Sequence, residues 1–161
     1  IVLWLADTHG GLGPAPDDAQ RGNWLKWLFF VANTLHPALR MTFYPEKYTG
    51  TDRRDQARLR RQLQAQITDQ LRRLDDAAAD WQASAPTVLD FYIAGCLRWC
   101  ALYPEDTDRG WFDLSSSPAL HATCLRVEPL PACAMLMRAE GLGDTPFTAP
   151  RAPTPPYGSA T

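Results

Sequence analysis

Apolar residues recur at helical spacing along most of this chain, and the recurrences fall into separate blocks. The most informative block runs from Thr87 to Cys100, TVLDFYIAGCLRWC. Leu89, Tyr92, Ile93, Cys96, Trp99, Cys100 and Tyr103 mark one side of a helix, while Val88, Phe91, Leu97 and Leu102 make the other side apolar too. A helix apolar on nearly all sides belongs in the middle of a bundle. Its start is written into the same block. Thr87 can cap the backbone N–H of Asp90, and the Asp90 carboxylate can reach back to the N–H of Thr87, with Pro86 and Phe91 closing a hydrophobic staple. Asp90 and Arg98 are the polar exceptions on this helix, and a buried carboxylate needs the partners such a cap supplies.

The other blocks arrange themselves around this one. Asp17 and Asp18 place acidic groups at the start of a helix over Ala19 to His36, in which Trp24, Trp27, Leu28, Val31 and Leu35 share a face and Leu25, Phe29, Phe30 and Ala32 fill much of the rest. Ala38 to Pro45 follows, and Tyr48-Thr49-Gly50 breaks it. Asp52 to about Ala83 reads as one long amphipathic helix with Leu59, Leu63, Ile67, Leu71, Leu74, Ala78 and Trp81 along its stripe. Two short helices, Pro118 to Val127 and Pro131 to Glu140, carry proline in their first turns. The pattern predicts an all-α bundle of about five helices. Gly10 to Pro16 is a linker by composition, separating residues 1–9 from a helical body over 17–142. Residues 143–161 form an extended or mobile Pro-rich tail, with Phe147 and Tyr157 able to dock back on the bundle.

Composition narrows the function. With 161 residues, 45% hydrophobic and 21% charged, the chain has the make-up of an ordinary globular domain, and its net charge of −2 gives no reason to expect nucleic acid or an acidic membrane as partner. No apolar run approaches the roughly 20 residues that cross a bilayer, so a cytoplasmic protein is the default expectation. Of the four cysteines, Cys96 and Cys100 sit four apart, but further ligands at short spacing are lacking, so core packing in a reducing compartment is favoured over a metal site. Arg53, Arg54, Arg58, Arg60 and Arg61 read as a solvated face beside Asp52 and Asp55, and His121 as a surface or capping residue.

The chemistry concentrates at Asn33-Thr34-Leu35-His36-Pro37. On the residues alone His36 is an imidazole that caps carbonyls exposed where Pro37 interrupts the helix. Leu39, Met41, Phe43 and Tyr44 just beyond it are either core or the lining of a pocket for an apolar ligand. Trp99 carries the same ambiguity.

Several pieces together resemble the C-terminal all-helical domain of glutathione transferases: Thr87 to Asp90, Arg98-Trp99, Pro118-Ala119-Leu120, Arg126 to Pro131, and Ala139-Glu140-Gly141-Leu142. They keep their order over most of the chain. The opening IVLWLAD resembles the last helix of the thioredoxin-like domain that precedes the bundle in that family, so the resemblance implies that residues 1–9 end such a domain. His36 matches the histidine that ends a T-E-L-H segment in the bacterial cysteine-type class, where it lies beside glutathione, so the resemblance implies a second reading, an imidazole that donates to the bound thiolate and lowers its pKa. The implied glutathione contact is therefore His36, and the implied electrophile pocket is Asn33, Leu39, Phe43, Trp99 and Tyr103. Glutathione would be a co-substrate, with no metal or other cofactor, and the thiol-activating residue would lie upstream. A homodimer is implied too, although Phe29 stands where that class has the asparagine that reaches across the dimer. The resemblance also fits a non-catalytic assembly module or a thiol-redox relative.

Overall fold

The computed structural model describes residues 1–105 and 107–155. Every element is helical: α1 (Val2–His9), α2 (Arg21–Phe30), a π-helical segment (Val31–Leu35), α3 (His36–Phe43), α4 (Glu46–Thr49), α5 (Arg53–Asp76), α6 (Ala78–Trp81), α7 (Val88–Leu102), a 3-10 turn (Leu114–Ser116), α8 (Pro118–Val127) and α9 (Pro131–Glu140). The all-α expectation holds, with more segments than the apolar blocks suggested.

The extra segments have local causes. Asp18 starts a turn, accepting from the N–H of Gln20 at 2.7 Å, and α2 begins only at Arg21. Pro37 does not interrupt the helix as its missing N–H and bulky ring would suggest. The chain instead widens through Val31–Leu35, where the His36 N–H donates five residues back to the Val31 carbonyl, and resumes as α3. One added residue in the turn gives the proline ring room, so α2, the π segment and α3 form one rod. The long amphipathic helix stops at Asp76 because Trp81, only 2% exposed, folds back and donates from Nε1 to the Leu74 carbonyl at 3.0 Å. That bond satisfies an acceptor freed at the helix end.

Helix α7 is the centre, packed by α3, the π segment and α8, while α5 lies against both α3 and α8. Its cap forms as the sequence requires. Asp90 Oδ2 accepts from the Thr87 N–H at 2.7 Å and from the Thr87 hydroxyl at 2.8 Å, and Thr87 Oγ1 accepts from the Leu89 N–H at 3.3 Å. Trp24 Nε1 also donates to Thr87 Oγ1 at 3.1 Å, tying the cap to α2. The Asp90 carboxylate is fully buried, and its second oxygen pairs with Arg126 of α8.

Residues 10–20 are held to the bundle as well. The Val88 N–H donates to the Leu12 carbonyl at 2.8 Å, and Arg21 bridges Asp7 at 2.7 Å and the Pro14 carbonyl at 2.6 Å. The tail has no helix or strand over 143–155 and lies against the bundle. Phe147 is buried, and Glu128 accepts from the backbone N–H groups of Phe147 and Thr148 at 2.8 and 3.1 Å. Arg98, the second polar exception on α7, donates to the carbonyls of Pro146 and Arg151 at 2.9 and 2.8 Å. Tyr157 lies outside the described residues.

Candidate functional site

A cleft of about 720 Å³ opens between α3 and the C-terminal end of α7, lined by His36, Arg40, Phe43, Tyr44, Trp99, Tyr103, Pro104 and Glu105. Helical spacing builds it from both sides. On α3, His36, Arg40 and Phe43 follow at i, i+4 and i+7, and on α7 Trp99 and Tyr103 lie four apart, so each helix turns one stripe toward the other.

The rings interlock. Phe43 meets Trp99 edge-on at 6.5 Å between centroids and Tyr103 at 6.1 Å, while Trp99 tilts against His36 at 5.2 Å. These are favourable aromatic arrangements, and they leave a rigid apolar wall. The rim is charged. Arg40 lies over the rings of Tyr44 and Tyr48 and hydrogen-bonds the Tyr48 hydroxyl, with Glu105 across the opening.

His36 is fixed at one nitrogen: Nδ1 lies 2.6 Å from the hydroxyl of Tyr92, one turn below Cys96 on α7. The surroundings push the Tyr92 hydroxyl above its ordinary pKa, first through burial and then through the neighbouring Cys96. Burial also pushes Cys96 up to about 12 and Cys100 well above the usual thiol value. Both are therefore neutral thiols at physiological pH, inert as nucleophiles, and all four cysteines are buried and unpaired with one another. Among the described residues no group of His, Cys, Asp and Glu is arranged to hold a metal ion.

Of the residues singled out in the sequence, His36, Phe43, Trp99 and Tyr103 are brought together in this cleft. Leu39 is not among them. It has no exposed surface, because on α3 it shares the core face with Ala38 and Thr42 while His36, Arg40 and Phe43 take the other. Asn33 is solvent-exposed and absent from the cleft wall. It lies in the π segment, whose wider turn rotates it out of phase with His36. Three lining residues carry no signal that the sequence analysis used: Arg40, which continues the His36 to Phe43 stripe and is findable by that spacing, and Pro104 and Glu105; Tyr44, either core or pocket lining on the sequence, lines the cleft. Spacing places Tyr92 on the apolar stripe of α7, and nothing local marks it as the partner of His36.

No family model matches the chain, and no curated protein does. Solved structures do. A glutathione S-transferase from a sphingomonad, complexed with glutathione, is 26% identical over 88% of this chain and 66% of its own, with a TM-score of 0.67. The glutathione transferase URE2P6 from Phanerochaete chrysosporium, in complex with oxidized glutathione, is 18% identical over 83% of this chain and 60% of its own, with a TM-score of 0.60, a likeness of fold alone. The fold is thus that of the glutathione transferase helical C-terminal domain. The chain spans about two thirds or less of the length of these neighbours. No helix among the described residues is long and apolar enough to cross a membrane.

Proposed function

We propose that this chain is the substrate-binding part of a bacterial glutathione transferase, acting with a thioredoxin-like domain that grips most of the tripeptide and activates its thiol. Residues 1–9 would close that domain and 17–142 form the bundle. The reaction is attack of glutathione sulfur on a hydrophobic electrophile, as in detoxification, within a cytoplasmic homodimer. One observation supports it above the rest: a single histidine stands at the edge of an aromatic cleft on a bundle whose structural neighbours are glutathione transferases.

In this reading Phe43, Trp99 and Tyr103 stack against the apolar acceptor and exclude water, while His36 donates a hydrogen bond to the sulfur. A donor aimed at a developing thiolate stabilises the anion and lowers the thiol pKa. Removing it by His36→Ala in the full-length protein should raise the pKa of bound glutathione, read from thiolate absorbance against pH. An unchanged titration removes His36 from the site. Retention on immobilised glutathione together with conjugation of a chloronitrobenzene supports catalysis. Retention without turnover would instead indicate a binding module, and absence of both would refute the glutathione reading.

A further inference from the structure

The His36 imidazole has two neutral forms, and which one is present decides what it offers the cleft. With the proton on Nε2 it is a donor there; with the proton on Nδ1 it turns a lone pair toward an incoming anion and repels it. The geometry around Tyr92 discriminates between them.

Tyr92 Oη lies 2.6 Å from Nδ1, and this is the one hydrogen bond its hydroxyl makes among the described residues. The hydroxyl is half-buried, in the middle of α7 between the fully buried Ile93 and Cys96 turn and the His36 ring. If it accepted a proton from Nδ1, its own O–H would find no acceptor among the described residues and would have to turn to water. If it donates, both groups are satisfied. The environment that raises the Tyr92 pKa keeps the hydroxyl protonated, and so able to donate, throughout the physiological range. A half-turn of the ring would keep its contacts with Tyr92 at 5.7 Å and Trp99 at 5.2 Å but would put a carbon where Nδ1 now meets the Tyr92 hydroxyl, so the hydrogen bond holds the present orientation.

We infer that Tyr92 is a positioning residue, whose hydroxyl donates to Nδ1 of His36 and so keeps the second nitrogen of that cleft-lining side chain as an Nε2–H donor for a bound anion. Tyr92 touches no substrate in this account and acts through His36 alone. The assignment of the tautomer stands on the geometry; its use toward glutathione sulfur rests on the function proposed above.

The test uses the full-length protein with nitrogen-15 histidine, observed by NMR in a pH series carried up to the range where the histidine signals stop changing. The His36 signals are assigned by their loss in His36→Ala. The wild type should show the Nε2–H pattern alone, and Tyr92→Phe, which keeps the ring and removes the hydroxyl, should move the Nδ1 resonance toward the average of two exchanging tautomers. An Nδ1–H pattern in the wild type overturns the inference whether or not the variant folds. An unshifted Nδ1 resonance in a folded Tyr92→Phe protein overturns it as well. The titration of bound glutathione adds a readout that mere packing would not move: Tyr92→Phe should raise the thiol pKa by part of the shift seen in His36→Ala and add nothing in the His36→Ala background. Additive shifts would refute action through His36. If His36→Ala leaves that titration unchanged, His36 is removed from the glutathione site, and the tautomer comparison still decides whether Tyr92 positions its ring.

Discussion

Replacing Asp90 by asparagine keeps the shape of a side chain that has no contact with solvent and removes its charge. The carboxylate serves three groups at once: Oδ2 accepts from the Thr87 N–H and hydroxyl at 2.7 and 2.8 Å, and Oδ1 takes the Arg126 guanidinium. An amide has one acceptor oxygen. Whichever way it turns, its NH₂ faces a donor, either Arg126 or the Thr87 N–H. Losing a charge-assisted bond costs about 1.5–3 kcal/mol, and stranding a buried donor costs a similar amount, which together agree with the roughly 3–5 kcal/mol found when one partner of a buried pair is removed. The Arg126 side chain keeps 33% of its surface exposed, so water can recover part of the loss. The low end, about 3 kcal/mol, is the expected value. In urea unfolding, with a slope of about 2 kcal/mol/M, the midpoint should fall by about 1.5 M. A double-mutant cycle of Asp90→Asn with Arg126→Met should return a coupling of at least about 1 kcal/mol, since the two side chains touch. A midpoint shift below about 0.3 M, or no coupling, would refute the argument that this buried pair anchors α8 to the start of α7.

Three further outcomes follow from the same structure. Leu39→Ala should destabilise the bundle by about 2–5 kcal/mol with little effect on ligand affinity, because its side chain is wholly in the core; Phe43→Ala should do the reverse, raising KM for an apolar acceptor more than it lowers the melting temperature, and equal thermal losses would contradict the two-faced reading of α3. Cys96 and Cys124 hold their protons up to about pH 12 in the folded chain, against 9.0 for a free thiol. Both states are protonated below pH 9, so nothing is lost there; as the unfolded thiols ionise, stability should fall by up to about 1.4 kcal/mol per pH unit per thiol and level off near 12, and an alkaline unfolding series that is flat over this window would count against it. Arg98→Met should free the tail, seen as faster proteolytic cleavage within residues 143–155 while the core fragment stays intact; unchanged cleavage would show that Glu128 and Phe147 suffice to hold it.

How much of this was legible before folding depends on sequence distance. The capping box of α7 was, because Thr87 and Asp90 lie three apart and a helix start can be completed by its own neighbours. The helical class and the buried stripes of α5 and α7 were legible for the same reason: periodicity is a property of consecutive residues. The clustering of His36 and Phe43 was implied by the resemblance alone, since their two-turn spacing counts only because the helix continues through Pro37, where the sequence suggested a break.

The rest was settled by contacts between distant segments. Arg126 reaches Asp90 across 36 residues, and Tyr92 reaches His36 across 56. Neither pairing leaves a local signature. Leu39 and Phe43 are both apolar and four apart, so only the position of α5 and α7 shows that one fills the core and the other a cleft. Asn33 lies outside the cleft wall because the wide turn ahead of Pro37 sets it out of phase with His36, and no local signal marks that turn. The composition of the tail left open whether it is held or mobile, and Arg98 and Glu128, distant in sequence, supply the hydrogen bonds that hold its backbone. Spacing along the chain tells which residues share a face; the packing of helices against one another tells what each face meets.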